Sequence, residues 1–187
     1  PPSLYPQTLR AEIDEVNDRV YRADHQAVTA SDFAGSQEAY SAAYRRLFAA
    51  LDWLEARLST QRYLVGDTIT EADIRLFTTL ARFDPVYHGH FKCNRQKLSE
   101  LPVLWAYARD LFQTPGFGDT TDFAHIKAHY YLVHRDVNPS GIVPDGHSMT
   151  CDQSTLPVAG SYPVIAVVVP KTSTAGWFGR SSRNGTV

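Results

Sequence analysis

The 187-residue sequence has few cysteines, no excess of positive charge and no long hydrophobic run. Its two cysteines, Cys93 and Cys151, lie far apart in the sequence, which argues against a disulfide scaffold and favours a reducing compartment. The formal net charge of −2 provides no basic field for nucleic acid or an anionic membrane. The longest apolar run, from Val164 to Val169, has the length of a strand and is too short to span a bilayer.

The first residues also lack the charged and apolar regions of a signal peptide. With 43% hydrophobic and 20% charged residues, the chain has enough apolar side chains for one sizeable core. We therefore expect a globular, cytoplasmic protein that binds neither nucleic acid nor a membrane.

Hydrophobic periodicity predicts five helices in residues 1–146, with no alternating pattern typical of strands. The first helix contains Leu9, Ile13, Val16 and Val20, and the second is capped by Ser36. The third runs from Thr70 to Asp84-Pro85. The fourth has Pro102 in its first turn, and the fifth runs from about Thr121 to Val133. Residues 86–98 are predicted to be irregular. This arrangement predicts an all-α helical bundle.

Residues 147–187 differ from this bundle in composition. Ser, Thr, Gly and Val dominate them, and only four residues are charged, namely Asp152, Lys171, Arg180 and Arg183. We predict an irregular or disordered tail and assign it no function.

The start of the third helix has the most complete local signal. Thr70 and Asp73 have the spacing of a capping box, in which each side chain hydrogen-bonds the backbone N–H of the other residue. Ile69 and Ile74 occupy the two positions of a hydrophobic staple across the same turn. We predict that a buried helix begins at Thr70.

This capping box, preceded by Tyr63-Leu64-Val65-Gly66-Asp67, resembles the centre of the all-helical C-terminal domain of glutathione transferases. Longer strings narrow the resemblance to the xi class, the glutathionyl-hydroquinone reductases, over residues 3 to about 146. These strings are Ser36-Gln37-Glu38-Ala39-Tyr40, Arg82-Phe83-Asp84-Pro85-Val86-Tyr87, His90-Phe91-Lys92-Cys93, His129-Tyr130-Tyr131 and Asn138-Pro139-Ser140-Gly141-Ile142.

The resemblance implies a two-domain, dimeric enzyme with glutathione as co-substrate. In that family, a cysteine of an N-terminal thioredoxin-like domain attacks the sulfur of a glutathionyl-hydroquinone and releases the hydroquinone. A second glutathione then resolves the mixed disulfide. No β-α-β pattern precedes Leu9 and no cysteine precedes Cys93, so we expect this chain to be the helical, substrate-side domain without the catalytic cysteine. Whether the chain alone is an enzyme stays open, and the alternative is a non-catalytic protein-interaction module.

The resemblance also implies site residues. Tyr130 matches the family's tyrosine that hydrogen-bonds the quinol oxygen or donates a proton, although the residues alone leave open a core tyrosine. A second family tyrosine falls at Thr29, whose hydroxyl lacks the reach and the acidity of a phenol. Phe83, Tyr87 and Phe91 are candidates for the apolar lining of the aromatic substrate site.

Two groups of histidines suggest a metal, but neither is convincing. His88, His90 and Cys93 share a loop, and His125 and His129 lie one helical turn apart. No further ligand follows at a typical spacing, so we predict no metal site. Cys93 is interpreted as a structural thiol rather than a nucleophile, because no CxxC partner or clear helix N-terminus would lower its pKa.

Overall fold

The computed structural model describes residues 3–21 and 34–146. Thr29 and the predicted tail at 147–187 therefore lie outside the described residues. The described part contains five α-helices and no strand, which confirms the predicted all-α class. The helices are α1 (Arg10–Val20), α2 (Gln37–Leu58), α3 (Glu71–Arg82), α4 (Pro102–Gln113) and α5 (Phe123–Val133).

Side chains that accept backbone hydrogen bonds fix the starts of these helices. Ser36 Oγ accepts from the N–H of Ala39 at 3.2 Å before α2, and Asp122 accepts from the N–H of His125 at 2.9 Å before α5. Helix α4 begins with Pro102, whose missing N–H costs nothing at this position. Each cap satisfies a donor that the helix itself leaves without a partner.

The predicted capping box of Thr70 and Asp73 is present at the start of α3. The Asp73 carboxylate is fully buried and accepts hydrogen bonds from four donors, all at 2.8 to 2.9 Å. These donors are the N–H and hydroxyl of Thr70, the N–H of Leu64 and the hydroxyl of Tyr107. Burial, together with the adjacent carboxylate, raises the pKa of Tyr107 well above 10, so its hydroxyl remains a donor. The carboxylate thus joins α3, α4 and the loop before α3.

The end of α3 differs from the prediction that residues 86–98 are irregular. The α-helix ends at Arg82, and the chain continues as a π-helical turn over Phe83–Tyr87. The N–H of His88 donates to the carbonyl of Phe83 at 2.9 Å, closing this wider turn. Pro85 has no N–H for the ordinary bond to residue 81, so the wider turn keeps the backbone helical past the proline. A short 3₁₀ turn at Leu98–Glu100 then leads into α4.

Helices α1 to α4 enclose the hydrophobic core, whereas α5 has no fully buried residue. Helix α5 packs against this core through its half-buried residues Ile126, Tyr130 and Tyr131. The outer position of α5 leaves its inner side chains beside the π turn. None of the helices in the described residues is both long enough and apolar enough for a membrane span.

Candidate functional site

Four predicted site residues meet where the π turn lies against α5, and we call them the aromatic cluster: Phe83, Tyr87, Phe91 and Tyr130. The rings of Tyr87 and Phe91 stack with an interplanar angle of 11° and centroids 5.5 Å apart. Tyr130 approaches both rings edge-on, with centroids 6.0 Å from Tyr87 and 5.7 Å from Phe91. Both arrangements are favourable for aromatic pairs.

The cluster places two phenol hydroxyls together. The hydroxyl oxygens of Tyr87 and Tyr130 are 3.4 Å apart, and either can be the donor. Tyr130 is half-buried, whereas Tyr87 is 7% exposed and Phe91 5% exposed. Tyr130 is therefore the member that a ligand reaches most easily, and a polar atom bound there would meet a second hydroxyl.

Phe83 lies deeper than the other three rings. It has no exposed surface and contacts Tyr87 and Phe48 edge-on, with each pair of centroids 6.4 Å apart. In this arrangement Phe83 supports the ring of Tyr87 from behind. That Phe83, Tyr87 and Phe91 line the aromatic substrate site remains a prediction.

A histidine pair, which the sequence did not predict, borders the cluster. His90 Nε2 and His134 Nδ1 are 3.2 Å apart, and the His134 ring lies against both Tyr130 and Phe91. Burial, together with charge repulsion from His134 and Lys92, lowers the pKa of His90 to about 4. His90 is therefore neutral near pH 7. The spacing of four residues between Tyr130 and His134 is the only sequence signal that places this ring beside the cluster.

The side chains of Cys93, Arg82 and Asp84, near the aromatic cluster, contact the backbone. Cys93 is fully buried, with its sulfur 3.8 Å from the carbonyl oxygen of Phe91, which favours the structural interpretation of this thiol. Arg82 donates to the carbonyl of Thr78, and Asp84 accepts from the N–H groups of Leu98 and Ser99. Over 3–21 and 34–146, no group of three or more His, Cys, Asp or Glu side chains could hold a metal ion.

A separate groove of about 430 Å³ lies between α3 and the first turn of α5. Its walls include Phe77, Arg82, Phe117 and His125, and none of the predicted site residues lines it. The sequence did not predict this groove, because its walls come from three segments without a shared motif. It is an alternative place for a small ligand.

Comparison with known proteins agrees with the resemblance to glutathione transferases. The family model described as glutathione S-transferase, C-terminal domain, matches residues 37–110. Glutathionyl-hydroquinone reductase PcpF of Sphingobium chlorophenolicum is 47% identical over 156 residues, which cover 83% of this chain and 50% of that protein.

Solved structures agree in fold as well as in sequence. A glutathione transferase from Gordonia bronchialis matches with a TM-score of 0.76 and 72% identity, covering 77% of this chain and 45% of that one. The glutathione-bound structure of YqjG from Escherichia coli K-12 matches with a TM-score of 0.77 and 44% identity, over 79% of this chain and 48% of that one. The chain thus spans about half the length of these relatives.

Proposed function

Because this chain contains the C-terminal helical domain of the glutathione transferase family, we propose that it is the substrate-side domain of a glutathionyl-hydroquinone reductase. The whole protein would use glutathione to reduce glutathionyl-hydroquinones to hydroquinones. The helical domain would bind the aromatic ring, and the sulfur chemistry would take place on a cysteine of a thioredoxin-like domain.

The proposed reaction needs a thiolate and a proton donor. The thiolate attacks the glutathione sulfur of the substrate, an S–S bond forms, and the bond between that sulfur and the aromatic carbon breaks. The electron pair of the broken bond stays with the aromatic carbon, which takes up a proton to give the hydroquinone. A second glutathione thiolate attacks the mixed disulfide, which releases oxidised glutathione and restores the cysteine.

We assign the polar contact with the quinol to Tyr130. The observation that carries this assignment is the 3.4 Å approach of its hydroxyl to that of Tyr87, beside the stacked ring of Phe91. A quinol has an apolar ring and phenolic oxygens, so a site with aromatic faces and hydroxyl donors matches both parts of it. Tyr130 would hydrogen-bond a quinol oxygen or donate the proton to the ring. Thr29 would be a weaker second contact, since its hydroxyl is not a phenol.

Binding of menadiol, a naphthohydroquinone, to the chain under anaerobic conditions tests this proposal. We expect saturable quenching of the intrinsic fluorescence, and Tyr130→Phe should raise the Kd about five- to tenfold, the loss expected for one hydrogen bond. Tyr131→Phe is the matched control, because this neighbouring tyrosine directs its hydroxyl at the carbonyl of Pro85 instead. Absence of saturable binding by the unmodified chain would contradict the proposal.

A non-catalytic interaction module is the second candidate, and it would use apolar surface residues near the end of α5. Leu132, Val133 and Ile142 keep 43%, 61% and 70% of their surfaces exposed. Large exposed apolar side chains are typical of protein contacts, including those of a homodimer. Light scattering on the purified chain tests this, with Val133→Lys expected to shift a dimer towards monomer. A monomer at all concentrations would count against it.

A further inference from the structure

Lys92 has an unusual backbone conformation next to the aromatic cluster. Within the described ranges, it is the one residue other than glycine with a positive φ, which is 59°. A residue with a Cβ is disfavoured in this left-handed region, so the surrounding structure must hold it there. Such outliers are a reason to look for a positional role nearby.

A tyrosine on α2 makes a long-range contact at this position. The hydroxyl of Tyr40, on α2, donates to the carbonyl oxygen of Lys92 at 2.7 Å. Burial raises the pKa of Tyr40, so the hydroxyl keeps its proton at neutral pH. Among the described residues, the segment from residue 89 to residue 93 also makes local backbone bonds, for example from the N–H of Cys93 to the carbonyl of Tyr87 at 3.0 Å.

The segment held in this way carries a member of the aromatic cluster. Phe91 directly precedes Lys92, stacks on Tyr87 and meets Tyr130 edge-on. A rotation of the Lys92 backbone would move Phe91, since the two residues share a peptide bond. The position of Phe91 beside Tyr130 therefore depends on the hydrogen bond between Tyr40 and Lys92.

We propose that Tyr40 is a positioning residue, whose hydroxyl holds Lys92 in its left-handed conformation and so fixes Phe91 against Tyr87 and Tyr130. The consequence for quinol affinity rests on the proposed function, but the positioning itself does not. A purely structural Tyr40 would contribute through its ring contact with Tyr44, whose centroid is 5.7 Å away. Tyr40→Phe keeps that ring contact and removes only the hydroxyl.

Amide hydrogen exchange and ring-to-ring nuclear Overhauser effects in the purified chain test the positioning. In Tyr40→Phe, exchange at the Cys93 amide should become about tenfold faster, the effect of losing one hydrogen bond. The Overhauser effects between Phe91 and Tyr130 should weaken, while the Tm stays close to that of the unmodified chain. Tyr5→Phe is the matched control, because it removes a tyrosine hydroxyl that bonds Asp14 on the surface, away from this segment.

A second substitution tests whether the Tyr40 hydroxyl acts through the backbone conformation of Lys92 or by stabilising the whole segment. Asparagine tolerates positive φ better than lysine, so adding Lys92→Asn to Tyr40→Phe should restore at least half of the lost protection at Cys93. Unchanged exchange and unchanged Overhauser effects in Tyr40→Phe would overturn the proposal. Faster exchange at Cys93 in Tyr40→Phe that is not reduced by adding Lys92→Asn would also overturn it.

Menadiol binding then connects the positioning to the proposed site. If the unmodified chain binds menadiol, Tyr40→Phe should raise the Kd about fivefold, and an unchanged Kd would overturn the role of Tyr40 at that site. If the unmodified chain does not bind menadiol, the proposed function fails, and the exchange and Overhauser measurements still decide the positioning.

Discussion

Two polar sites in the same bundle differ in burial and in the lengths of their hydrogen bonds. The carboxylate of Asp73 is fully buried and accepts four hydrogen bonds, all 2.8 to 2.9 Å long. The hydroxyls of Tyr87 and Tyr130 are 3.4 Å apart, on a residue pair that is only partly buried. The first site has the short, saturated bonds of a structural connection. The second has a longer contact beside the half-buried hydroxyl of Tyr130, and we propose that the quinol binds there.

The largest expected effect comes from breaking the first site. Asp73→Ala leaves four buried donors without their acceptor, so we expect the free energy of unfolding to fall by about 3 kcal/mol or more. Urea denaturation measures this, with Asp67→Ala as the control because Asp67 is exposed on the preceding loop. Equal midpoints for the two variants would refute the structural role of Asp73.

The histidine pair beside the aromatic cluster should make stability depend on pH. Folding lowers the pKa of His90 from about 6.5 to about 4, so the unfolded chain binds more protons between these values. The contribution of neutral His90 is therefore fully present above pH 6.5 and is lost as the pH falls towards 4. His90 lies against His134, Phe91 and Tyr131, and charge repulsion from His134 and from Lys92 opposes its protonation.

The comparison with His90→Gln isolates this effect. Between pH 7 and pH 4, the unmodified chain should lose about 2 kcal/mol more stability than His90→Gln, measured by urea denaturation at each pH. Parallel pH profiles for the two proteins would show that His90 titrates normally. The aromatic cluster would then be more open to water than the structure indicates.

The smallest effect on stability is expected at the cap itself. Thr70→Ala removes one hydroxyl of the capping box, and we expect a loss of about 1 kcal/mol in the free energy of unfolding. Thr70→Ser keeps a hydroxyl and serves as the control. A denaturation midpoint unchanged by Thr70→Ala would mean that the two backbone N–H groups and the Tyr107 hydroxyl are enough to hold Asp73.

Local parts of this fold could be predicted from the sequence, because the signals lie within one turn. The capping box needs only Thr70 and Asp73, and Ser36 marks the start of α2 in the same way. The other donors to Asp73 could not be predicted, since Tyr107 is 34 residues away and no pattern links the two. The π turn after Arg82 was missed for a different reason: Pro85 predicts the end of an α-helix but not the wider turn that follows.

The candidate site shows the same limit. Family resemblance indicated Tyr130, Tyr87 and Phe91 one at a time, and only the folded chain brings together Tyr87 and Tyr130, 43 residues apart. The contact of Tyr40 with Lys92, 52 residues apart, has no sequence signal, because a positive φ at lysine is not predictable from its neighbours. Thr29 lies outside the described residues, so its predicted contact with the substrate stays a prediction.

Intermolecular Overhauser effects between menadiol and the protein under anaerobic conditions test the central claim most directly. If the aromatic cluster is the quinol site, the menadiol methyl group should give effects to the rings of Tyr130 and Phe91, and Tyr130→Phe should weaken the binding. Effects only to Phe77 and Phe117, which line the groove between α3 and α5, would contradict the account and move the site there.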